Sequence, residues 1–120
     1  MEPGEFEEAI EKALSKVPER FREILDREGI QILARDEVPP ALQDRYKGGI
    51  LFGIFTGIPY NRRSMFDLQM EPTRIELYRA SFEKAFDNRQ EMEEQIAKTV
   101  LHEIGHYLGF SERELRRRNL

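Results

Sequence analysis

The sequence predicts an α+β domain: a small sheet of three strands, four at most, packed on helices. Three observations predict it. Apolar residues recur at helical spacing towards both ends of the chain and at strand spacing in its middle. The resulting order is helix, helix, strand, strand, strand, helix, helix, which lets helices cover one face of a small sheet. The 120 residues contain no internal repeat, low-complexity tract or Gly/Ser linker, so residues 1–120 read as one domain.

The first helix is expected over 4–17, where Phe6, Ile10, Ala13, Leu14 and Val17 share one face. Pro18 interrupts it. Because proline suits a first helical turn, a second helix is expected from Pro18 to Asp26, and Gly29 suits its stop. Ile30 to Ala34 reads as a strand, and Asp36 to Pro40 as a loop, since Pro39 and Pro40 cannot donate to a ladder. Gly48 to Gly57 (GGILFGIFTG) is the most strand-like run, rich in Ile and Phe and bounded by glycine. Asn61 to Thr73 is irregular. Arg74 to Tyr78 alternates polar and apolar residues as a half-buried strand does, and Ser81 to Phe86 fits a short helix. The longest helix is expected from Asn88 to Leu108. Asn88 and Glu91 suit a capped start, and Gly109 a stop.

Composition excludes several function classes. Nineteen basic against 23 acidic residues give a net charge of −4, so no large positive field attracts nucleic acid. With no cysteine there is no disulfide scaffold, Cys-based zinc ribbon or thiol nucleophile. No apolar run approaches the ~20 residues of a membrane span, and the acidic start lacks a signal-peptide core. The expected address is the cytoplasm. Charge is uneven: residues 1–28 carry nine acidic and five basic side chains, which fits solvated helix faces. Arg116, Arg117 and Arg118 either complement the negative end of a last helix or read an acidic substrate.

The only two histidines, His102 and His106, stand four apart in His102-Glu103-Ile104-Gly105-His106. Four helical residues turn about 400°, so both imidazoles lie on one face, one turn apart, and can share an ion. Glu103, offset by about 100°, sits beside such an ion as a base. The pair falls at the edge of the apolar arc centred on Val100, Ile104 and Tyr107, on the side where Gln95 and Lys98 also point. Satisfied core histidines would instead lie inside the arc.

A catalytic zinc takes three protein ligands and a water. Gly109 permits the turn that brings the chain back, and Glu112 follows His102 by ten positions, the spacing of the third ligand in HExxHxxGxxH with Glu in place of His. Glu112 also fits a first-turn acid on a last helix, where Ser111 and Glu114 form a capping pair. Glu114 is the alternative ligand.

The HEIGHYLGFSE segment, with GILFGIFTGIPY and a TRIELYR strand before it, resembles the small bacterial zincin-like metallopeptidases over somewhat less than half the chain. The resemblance implies a minimal zincin-like fold around the HExxH helix, Zn2+ on His102, His106 and Glu112, and Glu103 as the catalytic carboxylate. The eight residues after Glu112 contain no Met, unlike the larger metzincins with their Met-containing turn, so the resemblance is to a zincin reduced to metal helix and sheet.

The expected function is zinc-dependent peptide hydrolysis. Zinc lowers the pKa of its water towards ~7 and polarises the scissile carbonyl; Glu103 takes the proton and passes it to the leaving amine. The partner is a peptide or protein substrate, with neither nucleic acid nor membrane. Zincins hold an extended peptide by strand addition, and the candidate edge here runs from Ile50 to Thr56, with Ile50, Phe52, Gly53 and Ile54 against the substrate. A buried core strand fits the same residues. Oxyanion donors among Tyr46, Tyr60, Tyr78, Arg62 and Arg63 are candidates, Tyr60 also as a substrate contact, whereas Tyr107 belongs to the apolar arc. The alternative function is a zinc-binding interaction module with little or no turnover.

Overall fold

A computed structural model describes residues 1–45, 48–60 and 73–117. Among them are six helices and one three-stranded mixed sheet, the α+β class that the sequence predicts. In chain order these are α1 (Pro3–Ser15), α2 (Glu19–Arg27), β1 (Gln31–Arg35), α3 (Pro40–Arg45), β2 (Gly53–Thr56), β3 (Arg74–Tyr78), α4 (Arg79–Ala85), α5 (Arg89–Tyr107) and α6 (Glu112–Arg117). Arg62, Arg63, Tyr46 and Arg118 lie outside the described residues. No described helix is long and apolar enough to cross a membrane.

The sheet order is β1-β3-β2. β1 runs parallel to β3, with Ile32 opposite Ile75 and Ala34 opposite Leu77. β2 runs antiparallel to β3, with Gly53 opposite Leu77 and Phe55 opposite Ile75. Side chains alternate across a strand, so Ile75 and Leu77 share one face and Arg74, Glu76 and Tyr78 the other. The apolar face receives α1, which lies over β1, and α5, which lies over β2 and β3.

The first helix supplies Phe6, Ile10 and Ala13, followed by Val17 just past its end. α5 supplies Met92, Ile96, Val100 and Ile104. All are buried in one cluster with Ile75 and Leu77. At about 1.5–3 kcal/mol for each large apolar side chain fully removed from water, this contact dominates the stability of the fold. The opposite face carries charge. Arg35 and Arg74 donate to the two carboxylate oxygens of buried Glu76 at 3.1 and 2.7 Å.

Two differences from the sequence reading exceed a shift of one or two residues at an element's end. The strand expected over Gly48 to Gly57 is only Gly53–Thr56 long. Its partner explains this: β3 turns directly into α4 after Tyr78, and the ladder's last bond runs from the Tyr78 N–H to the Phe52 carbonyl at 2.9 Å. Residues before Phe52 have no further strand to pair with, and Ile50 is left exposed. The second difference is α3, a short helix beginning at Pro40, where the sequence reading has only the end of a loop. Proline's fixed φ suits that first helical position.

Candidate metal centre

The helix α5 is fixed at both ends by local sequence. At its start the Asn88 side chain accepts the Glu91 N–H at 2.8 Å, as expected from the Asn88–Glu91 spacing. At its end the Phe110 N–H donates to the Gly105 carbonyl (2.9 Å) and the Gly109 N–H to the His106 carbonyl (3.0 Å). This is a Schellman stop, and Gly109 carries the positive φ of 97° that it needs. The chain therefore reverses immediately after His106 and lays α6 back over the histidines.

That return brings three donors together. Glu112 Oε1 lies 3.0 Å from His102 Nε2 and 2.8 Å from His106 Nε2. The two imidazoles are 4.6 Å apart and nearly perpendicular. One ligand atom from each of His102, His106 and Glu112 falls within 4.8 Å of the others. A carboxylate only accepts, so each short contact needs either an Nε2–H or a cation shared between the groups. Two imidazoles and one carboxylate also form a donor set of the kind that holds catalytic zinc. The residues present thus fit the metal. Hydrogen bonding from His102, then the nearby imidazoles, holds the Glu112 carboxyl below the usual carboxylate range, against a smaller opposing effect of burial.

The alternative ligand is engaged elsewhere. Glu114 Oε1 accepts the Ser111 N–H at 3.2 Å while Ser111 Oγ accepts the Glu114 N–H at 3.1 Å. This reciprocal box caps α6 and leaves Glu112, the next residue after the cap, to face the histidines.

What supports the site from below is visible only in three dimensions. Leu115 is the sole buried residue of α6, and it sits in the notch left by Gly105, between the two histidines on α5. A Cβ on Gly105 would come within 2.4 Å of Leu115 Cδ2. Glycine at the fourth position of the motif therefore lets α6 dock. Its only trace in the sequence is a single apolar residue in a charged last helix.

Glu103 faces β2 rather than the histidines' open side. Burial pushes its carboxyl above the usual range, opposed by His106, by His102 and by a hydrogen bond from the Phe55 backbone N–H. The register explains that N–H. Bonded and non-bonded pairs alternate along an antiparallel ladder, and Phe52–Tyr78 is a bonded pair. Gly53 and Phe55 must then turn their N–H and C=O groups away from β3, along an edge unpaired among the described residues.

Beside that edge runs a cleft of about 320 Å³, lined by Phe52, Gly53, Gln95, Lys98, Thr99, His102 and Glu103. Of the proposed substrate contacts, Phe52 and Gly53 line it. Ile54 is paired with Glu76, which puts its side chain on the other face of the sheet. Ile50 lines a separate hollow with Gly48, Leu51, Ala80 and Lys84. The space at Gly53 is taken by the chain itself: a Cβ there would meet the Glu76 carbonyl oxygen at 2.8 Å and Thr99 Cγ2 at 3.2 Å. Tyr60 packs edge-on against buried Tyr107, and its hydroxyl accepts from Arg27 at 3.0 Å. Tyr78 is wholly buried in the sheet.

Known proteins resemble the chain in fold and in sequence. A solved structure of a conserved hypothetical protein from Thermus thermophilus is similar, with a TM-score of 0.58 and 26% identity over 96% of this chain and 97% of that one. No curated protein matches the chain. The sequence profile of the zincin-like metallopeptidases matches residues 28–120, a span that takes in all three strands, α5 with its two histidines and Glu112 on α6. The chain belongs to the zincin-like metallopeptidase family.

Proposed function

We propose that the protein is a zinc-dependent peptidase, with the metal on His102, His106 and Glu112 and with Glu103 as general base. The observation that carries this reading is the convergence of three donors beside a carboxylate at an open sheet edge. Zinc held there supplies Lewis acidity to the scissile carbonyl and to the attacking water. The chain's own residues do the rest. The outward amide groups of Gly53 and Phe55 align an extended peptide by strand addition. Glu103 accepts a proton as the water oxygen bonds to the carbonyl carbon. It then delivers that proton to the amide nitrogen as the C–N bond breaks, leaving a carboxylic acid and an amine. Burial suits Glu103 to this exchange, because a raised carboxyl both takes and releases a proton nearer neutrality.

Elemental analysis of untagged protein, together with a peptide-library digest read by mass spectrometry, tests the proposal. Wild type should hold close to one zinc per chain, and His106→Ala and Glu112→Ala should lose it. Glu103→Gln should keep the zinc and cleave at least ~100-fold more slowly, the lower end of a general base's contribution. Full cleavage by Glu103→Gln would remove the base from this role, and a zinc-free wild type would end the metallopeptidase reading.

A further inference from the structure

The cleft beside β2 is built from one stripe of α5. Gln95, Lys98, Thr99 and His102 stand three and four residues apart, so they line its wall in successive turns. Among the described residues that line it, Lys98 is the only lysine or arginine. Among the described residues its ammonium forms no ion pair, although Glu94 stands one turn before it on the same helix. Lys98 is exposed, one turn before the first metal-site histidine, with Gly53 and its outward amide groups across the cleft.

The direction of the strand beside it matters. Gly53 lies against Thr99, whereas Phe55 reaches Glu103 and, edge-on, Tyr107. β2 and α5 therefore run side by side in the same direction. A peptide added antiparallel to β2 runs the other way. Its residues between Gly53 and Lys98 then follow, in sequence, the bond positioned at Glu103.

Resting on the peptidase reading above, we propose that Lys98 forms a subsite for a carboxylate on the carboxyl-terminal side of the scissile bond. The carboxylate is an Asp or Glu side chain or the substrate's own C-terminus, since both present the same charge and acceptor oxygens to an ammonium. Lysine suits such a site because its flexible stem carries a point charge that reaches either source. The catalytic centre would in this way select acidic or short-tailed peptides.

Zinc-loaded Glu103→Gln protein separates binding from turnover. Fluorescently labelled peptides carry Glu or Gln at each position in turn, and each is made with a free and with an amidated C-terminus. Anisotropy gives the dissociation constants. One position, or the free terminus, should favour the carboxylate by about fivefold, the upper end for a solvent-accessible ion pair. Adding Lys98→Glu should invert that preference, and Lys98→Arg should retain it. Dependence on Glu in amidated peptides identifies a side-chain carboxylate; dependence on the free terminus alone identifies the C-terminal one. Mass spectrometry of the wild-type products should place the preferred acid after the cut. Equal binding of all peptides, a preference that survives Lys98→Glu, or an acid preferred before the cut would overturn the proposal. A wild type that cleaves none of the peptides would instead count against the peptidase reading, and the binding ratios would still decide the subsite.

Discussion

The two halves of α5 share one buried stripe but differ in what is added to it. Its first half buries Met92 and Ile96 in the core, and Arg89 reaches across to Glu5 at the start of α1. Its second half carries His102 and His106, whose side chains are 31% and 28% exposed. That end joins the core through Val100, Ile104 and Tyr107, and its approach to α6 is set by a turn at Gly109 and by one side chain, Leu115, in one notch. The buried stripe from Met92 to Tyr107 therefore sets whether the helix exists. The turn at Gly109 and the Gly105–Leu115 contact set where three donor atoms stand relative to one another. Stability and site geometry reside on one helix yet depend on different contacts.

The sharpest way to break this division is at Ile96, which is fully buried. Ile96→Ala should cost about 2–5 kcal/mol in urea unfolding, from lost transfer energy and the cavity left behind. The protein that remains folded should still take up zinc with wild-type stoichiometry. A site that fails while the fold survives would contradict the division.

Gly105→Ala should act on the other half. The added methyl displaces Leu115 and with it α6, so zinc affinity in a chelator competition should fall about 10–100-fold, the usual range for disturbing the groups that support a metal ligand. The helix itself should persist by circular dichroism. Adding Leu115→Ala to the same chain makes room for the methyl and should restore part of the affinity.

The smallest effect sharpens the first half. The Glu2 backbone N–H, and then Arg89, hold the Glu5 carboxyl below its ordinary value. A depressed carboxyl stabilises the fold above its unfolded pKa, and that contribution is lost as the pH falls through its folded value. Wild type should therefore lose more thermal stability than Glu5→Gln between neutral and acidic pH. The two should run parallel once Glu5 is protonated in both folded and unfolded chains. Identical acid profiles would mean that Arg89 and the helix cap contribute nothing.

Much of this was legible in the sequence because it is local. Asn88, Gly109 and the Ser111–Glu114 spacing announce helix ends through bonds that span three to five residues. The histidines, Glu103 and Glu112 are fixed by helical periodicity and one turn. Gln95 and Lys98 fall on the histidines' side of the helix for the same reason, and both line the cleft. What the sequence could not show depends on distant partners. The length of β2 is set by where β3 becomes a helix. Gly53 and Gly105 look like weak points in their elements, and only the neighbouring Thr99, Glu76 and Leu115 explain why nothing larger fits. The alternation in Arg74 to Tyr78 suggests one wet face, yet Glu76 and Tyr78 are buried there as well.

The buried carboxylate on the far face of the sheet has a consequence for how the strands find one another. If β3 slipped by one residue against its neighbours, every side chain would change face. Glu76 would swing under α1 and α5, away from Arg35, and Ile75 and Leu77 would take its place among the arginines. An unpaired buried carboxylate costs several kcal/mol, so the misaligned sheet is penalised twice, once for stranded charge and once for exposed hydrocarbon. One acidic residue at the centre of a five-residue strand thereby works as an alignment key, rejecting the nearest wrong pairing.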